Sequence, residues 1–358
     1  MGECKENKMI LSLQAIRAIA CLMIFMYHGV GSRFNCGGVW GVSVFFVMSG
    51  FVMVYSYWKR PVEPTIKSAT TFAIRKIKKL FPLHVIMLIV GLIREILIQH
   101  EISVQSEIIK LGITIPLLQT WSSEWYQALN SVDWYLSVTL FLYFIFPFIL
   151  NAIKKRTPNK KETFLYILCI YTTQIIIGAV FHFFIPNIDI KWIVYCFPLY
   201  RLGDFAIGCL VGYLFTFKRD NISLWKKNTS KAEILILPFT ILSWAIYYFS
   251  DESMKWFSYT CLFLPFSVGL IAIFAKGDGT ISRIITNRIL LFVASVSSYF
   301  FLIHRQVLYY VEYGIKLIFH VENNRLILFI TIIVGFALTL LAIKIYQMIE
   351  KRLWKKGI

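Results

Sequence analysis

LQAIRAIACLMIFMYH, residues 13–28, is an almost wholly apolar run that carries a guanidinium at Arg17 and an imidazole at His28. On an α-helix the eleven steps between them return to within about 20° of the starting direction and climb about 16 Å. The two side chains therefore lie on one face, one above the other. A run this long and apolar belongs in lipid, where an arginine is costly. Two readings stand. Arg17 snorkels to one surface while His28 is satisfied at the other, or the pair serves a function inside the membrane.

The remaining sequence supports a membrane scaffold. Of the 358 residues, 58% are hydrophobic, and the mean hydropathy is +0.67. These values indicate a polytopic membrane protein rather than a soluble domain. The net charge of +18 does not point to nucleic acid, because the basic residues fall in short clusters between apolar runs. The first ten residues are too short and mixed for a cleavable signal peptide, so the first run is expected to be retained. The seven cysteines form no CxxC or Cys/His spacing. They read as small packing residues, with no metal and no disulfide expected.

The hydropathy pattern predicts an all-α protein with about ten spanning helices, at 10–30, 40–58, 80–98, 133–151, 163–185, 193–217, 232–250, 256–275, 289–312 and 326–349. A shorter apolar piece, Ile108 to Leu118, contains Gly112 and Pro116 and suits a re-entrant or interfacial segment. With ten spans, the basic clusters around residues 59–79, 154–161, 218–231 and 351–356 share one side with both termini. The positive-inside rule makes that side the cytoplasm. No internal repeat is visible, and residues 1–358 are expected to form one transmembrane domain without a separate soluble domain. His100, His182 and His320 fall at outer boundaries.

Beyond residues 13–28, a second stretch, GVWGVSVFFVMSGFVM (Gly38–Met53), follows closely. Together they resemble the opening of the acyltransferase-3 family of integral-membrane O-acyltransferases, which have an R-x10-H first helix and a G-V-x-x-F-F-V-x-S-G-F second helix. The resemblance continues in order through RKIKKLFPLH (75–84), DWYLSVTLFLYFIFP (133–147), YRLGDFAIGCLVG (200–212) and SSYFFLIHRQVL (297–308). It therefore covers nearly the whole chain. Two departures stand out. Lys76 and Lys79 occupy the places of a family arginine pair, replacing a bidentate fork by point charges. Thr139 stands where many members have glutamate.

The resemblance implies transfer of an acyl group, commonly acetyl, from cytosolic acyl-CoA to a sugar hydroxyl of a surface or exported glycan such as an exopolysaccharide or O-antigen. It places the protein in a bacterial inner (plasma) membrane as a multi-pass enzyme. Acetyl-CoA is a co-substrate, and no permanently bound cofactor is implied. His28 then serves as general base, since an imidazole titrates near working pH, and Arg17 sits on the donor side. Arg75, Lys76 and Lys79 form a basic rim suited to the phosphates of CoA, although plain topology also explains it. Arg201, His304, Arg305 and Trp134 are the candidate acceptor-binding residues. Asp204 pairs with Arg201 at i,i+3; Asp133 is a helix N-cap near the outer surface, Trp134 also fits an aromatic belt, and His84 is a packing residue. The expected partners are acyl-CoA, a glycan or lipid-linked sugar, and the bilayer. A glycan transporter or flippase shares the signature of buried charge, without the inverted repeat common in such proteins.

Overall fold

The computed structural model describes residues 10–30, 35–98, 103–218, 229–319 and 325–355. The predicted termini, and the readings on Cys4, His100, Arg219, Lys226, Lys227 and His320, lie outside them. In chain order the helices are α1 (Leu11–Val30), α2 (Asn35–Tyr57), α3 (Ile66–Ile77), α4 (Phe81–Ile98), α5 (Val104–Thr114), α6 (Trp134–Arg156) and α7 (Lys160–Phe184). They continue with α8 (Pro198–Lys218), α9 (Thr229–Phe249), α10 (Lys255–Ser258), α11 (Leu264–Phe274), α12 (Thr280–Ile285), α13 (Arg288–Phe319) and α14 (Arg325–Lys355). The described residues contain no β-strand, and their six cysteines are unpaired.

Seven helices are long and apolar enough to cross a membrane: α1, α2, α6, α7, α9, α13 and α14. A bent pair, α3 and α4, meets at 62° and passes the same test only when taken together, for up to eight. The two further predicted spans take a different form. The run 193–217 is a π-helical turn at Trp192–Cys196 followed by α8, whose apolar character is diluted by Arg201 and Asp204. The run 256–275 is a short helix, a turn, and the eleven-residue α11. All three interruptions precede a proline, Pro82, Pro198 or Pro265, in the first turn of the next helix. Proline lacks the N–H that a continuing helix needs and disfavours helical geometry in the residue before it.

The bundle is organised around α2, which is almost entirely buried and packs against α1, α8, α9 and α11. Its contact with α8 is backbone on backbone. A Cβ at Gly50 would fall 2.1 Å from the Phe205 carbonyl oxygen, and one at Gly208 would fall 2.2 Å from that of Val47. Lipid supplies no hydrophobic drive between helices, so small residues that allow this approach are the main means of association. By contrast, α7 exposes Phe164, Leu165, Leu168, Ile176 and Phe183. An apolar exterior of this kind is suited to hydrocarbon.

The connection from α4 to α6 sets the depth of the site. Helix α5 runs back alongside α4: Lys110 bonds Glu95 at 2.6 Å, and the Thr114 carbonyl bonds His84 Nε2 at 3.0 Å. The piece expected to be re-entrant or interfacial, Ile108 to Leu118, is the second half of α5 and the residues just after it. The following loop is laced into the bundle. Ser137 Oγ donates to the Leu117 carbonyl (2.6 Å), and Arg94 and Gln306 both donate to that of Leu129 (3.1 and 2.9 Å). Leu117 and Leu129 adopt φ of 62° and 59°. Such left-handed positions cost about 1–3 kcal/mol each in a non-glycine residue and persist only where the surroundings hold them.

Candidate functional site

Arg17 and His28 both face α13, as their spacing predicts. Arg17 donates to Ser298 Oγ at 2.6 Å. The His28 ring lies 5.2 Å from that of His304, and its carbonyl accepts from Arg305 at 3.2 Å. Two cavities flank this pair of helices. One, of about 300 Å³, is lined by Arg17, Ser298, Lys76, Tyr135, Thr139 and Tyr143, among others. The second, of about 230 Å³, is lined by His28, Arg305, Lys191, Trp134, Tyr195 and Gln127, among others. Phe301 lines both. Its ring packs against Phe45 and Tyr135 with centroids 6.3 and 5.2 Å apart, and it forms a wall shared by the two cavities.

The start of α6 lies at this partition: Trp134 faces the His28 cavity and Tyr135 the Arg17 cavity. Arg17 and His28 are about 16 Å apart along their helix, so α6 begins inside the bundle. This corrects the expected placement of Asp133 and Trp134 near a surface. Asp133 makes no side-chain cap bond. It is buried instead against His84 Nδ1 at 2.7 Å and accepts from Asn130 Nδ2 at 2.7 Å. His84 is therefore one half of a buried pair, brought to Asp133 by the bend between α3 and α4. Trp134 packs among Phe46, Tyr135 and Tyr195 rather than in a belt.

The other candidates divide. Arg305 lines the His28 cavity; its guanidinium lies 3.9 Å from the centre of the Tyr309 ring and donates to that hydroxyl at 2.5 Å. His304 lines neither cavity. It sits behind His28 with Nδ1 2.9 Å from the Phe300 carbonyl, stacked on Phe300 and with Nε2 unpartnered. Arg201 is fully buried and also lines neither cavity. It bonds Asp204 at 2.5 Å, as the i,i+3 spacing predicts, and the Tyr195 carbonyl at 2.8 Å. It thus supports a wall of the His28 cavity from behind. In the basic rim, Lys76 alone lines the Arg17 cavity, with its ammonium 4.7 Å from the Tyr57 ring centre. Lys79 lies over Tyr299 at 5.4 Å, and Arg75 is exposed.

Sequence reasoning missed Lys191, Tyr195 and Gln127 in one cavity and Ser298, Tyr135 and Tyr143 in the other. Lys191 carried a signal: it is a lone cation in a short loop that the charge rule assigns to the outside, where basic residues are sparse. Ser298 carries no such signal, standing in a stretch marked chiefly by His304 and Arg305.

His28 makes no side-chain hydrogen bond to a carboxylate among the described residues, and its ring borders open space. A neutral imidazole there has a lone pair available to a ligand hydroxyl. The Arg17 cavity, largely apolar with Arg17 and Lys76 in its lining, suits a flexible chain with an anionic head.

The family model described as an acyltransferase domain, acyltransferase-3, matches residues 10–344. A Staphylococcus aureus (strain COL) protein named "Putative O-acetyltransferase" is 26% identical over 334 residues, covering 86% of this chain and 52% of that protein. The O-acetyltransferase OatA of Staphylococcus aureus (strain NCTC 8325 / PS 47) is 22% identical over 368 residues, covering 96% and 57%. The chain thus spans about half the length of the curated relatives it matches. No solved structure matches.

Proposed function

The chain belongs to the acyltransferase-3 family, and on that premise we propose that it is a membrane O-acetyltransferase that passes acetyl from acetyl-CoA in the Arg17 cavity to a glycan hydroxyl in the His28 cavity. The observation that carries this reading is the pair of cavities at the two ends of one face of α1, meeting at Phe301. By the positive-inside rule the Arg17 end faces the cytoplasm, with ten crossings formed by the eight spans together with α8 and the broken α10–α11 segment. Both ends of the described chain then lie on the cytoplasmic side, and the membrane is a bacterial inner membrane.

In the proposed step, a ring nitrogen of His28 takes the proton of the acceptor hydroxyl as its oxygen attacks the thioester carbonyl carbon. The C–S bond then breaks, and the imidazolium returns the proton to the departing thiolate. The chemistry needs proximity and one positioned base. Arg17 is too far along the helix to hold the carbonyl that His28's partner attacks. It holds the donor arm instead, with Ser298 fixing its guanidinium and Lys76 offering charge to the CoA phosphates. His304 orients His28, and Trp134 stacks on the sugar. Thr139 lines the same cavity as Arg17, with its hydroxyl donating to the Tyr135 carbonyl, so it offers no carboxylate there.

The test is mass spectrometry of surface glycans from cells making wild-type protein or His28→Gln. The wild type adds acetyl, and the variant, at equal abundance in the membrane, adds less than about 1% of it, since loss of a general base costs about 10²–10⁴ in rate. Full acetylation in the variant overturns the assignment of the base. Glycan delivery that fails together with acetylation would favour a transporter.

A further inference from the structure

Several buried or half-buried cations among the described residues meet carboxylates. Arg201 has Asp204, Lys110 has Glu95 and Glu107, and Arg94 has Glu95. The cations of the His28 cavity, like Arg17, meet no carboxylate among the described residues. Arg305 bonds only the His28 carbonyl and the Tyr309 hydroxyl, and its buried Nε has no partner. Among the described residues Lys191 makes no ion pair, and no Asp or Glu lines this cavity. The nearest acid in sequence, Asp189, is engaged by the Tyr126 hydroxyl at 2.8 Å and the Lys191 backbone N–H at 2.9 Å.

Cations shielded from water need a counter-charge, and where the protein withholds it a ligand supplies it. Lysine and arginine are also donors only. A cavity built to grip a neutral sugar through its hydroxyls would be expected to offer carboxylate acceptors. This one is rich in donors.

Resting on the acyl-transfer reading above, we propose that the acceptor is anionic: a sugar bearing a carboxylate or a phosphate near the hydroxyl that is acylated, held between Lys191 and Arg305. The sugar ring then lies against Trp134 and Tyr195, with the hydroxyl towards His28. The two cations fix which hydroxyl reaches the base, so the anion sets regiochemistry as well as affinity.

The test titrates the purified full-length protein with methyl glucoside, methyl glucuronide and methyl glucoside 6-phosphate by calorimetry. At least one anionic probe is expected to bind at least about tenfold more tightly than the neutral one. That preference falls towards unity in Lys191→Gln and in Arg305→Gln, each confirmed as monodisperse on gel filtration. The better of the carboxylate and phosphate probes identifies the group. No anionic preference, including no binding of any probe, overturns the proposal, as does a preference that survives both substitutions. Acetyl transfer from acetyl-CoA is measured in the same preparation. Transfer without anionic preference removes this inference and leaves the enzyme standing. An anionic preference lost in the variants, in a preparation that transfers no acetyl, removes the enzyme reading and leaves the anion site.

Discussion

Arg17 reaches Ser298 and has no carboxylate partner among the described residues, so its removal takes a cation from the cavity proposed for the donor without orphaning an acid. Arg17→Ala is expected to raise the KM for acetyl-CoA about 10- to 100-fold, since a hydrogen bond to a charged group contributes about 1.5–3 kcal/mol. Arg17→Lys should recover part of the loss, because charge remains while the planar fork is gone. An unchanged KM in Arg17→Ala contradicts the donor-side assignment. The Arg17–His28 pair was legible because helical periodicity is a property of the sequence. The His84–Asp133 pair was not: 49 positions separate its members, and their meeting depends on a bend and on a loop that folds back into the bundle. His304 was legible as unusual but not as hidden, since spacing cannot tell a cavity wall from the layer behind it.

At the level of elements, the prolines decided where reading and structure diverged. Hydropathy alone reads each long apolar run as one continuous span, whereas two of these runs are broken. Pro198 and Pro265 restart their helices within those runs, and Pro82 begins α4 after a segment that reads as a basic loop. Amphipathic α3, with Ala69, Phe72, Ala73 and Ile77 buried and Lys67 and Arg75 exposed, has too little apolar content to register as part of a span. The loop before α6 gives a direct test of this architecture. Asp133→Ala leaves the buried His84 without its partner, and breaking such a pair costs about 3–5 kcal/mol. A clear drop in the thermal midpoint of the purified protein is therefore expected, and an unchanged midpoint contradicts the buried pair. The partition makes a separate prediction. Phe301→Ala opens one cavity to the other, so release of free acetate from acetyl-CoA should rise several-fold relative to acetyl transferred. An unchanged ratio contradicts a sealing role for this ring.

The whole molecule is a bundle with one cavity against Arg17 and another against His28, sharing Phe301, which the proposed reaction uses as donor and acceptor chambers. Membrane character was legible because hydropathy is a bulk property and α7 and α9 display it towards lipid. Sidedness rests on loop charge. Thr157→Cys, placed just past α6 in a basic cluster, should resist an impermeant thiol reagent in intact cells, above the background of the native cysteines. Labelling there contradicts the ten-crossing arrangement. The central claim, that acetyl passes from one chamber to the other across α1, is tested most directly in sealed vesicles. These carry purified protein in one orientation, radiolabelled acetyl-CoA on the Arg17 side, and glycan from cells lacking the protein on the His28 side. Label is predicted on the glycan with the wild type and not with His28→Gln. Label that appears only when donor and glycan share a side, or that appears equally with His28→Gln, would contradict it.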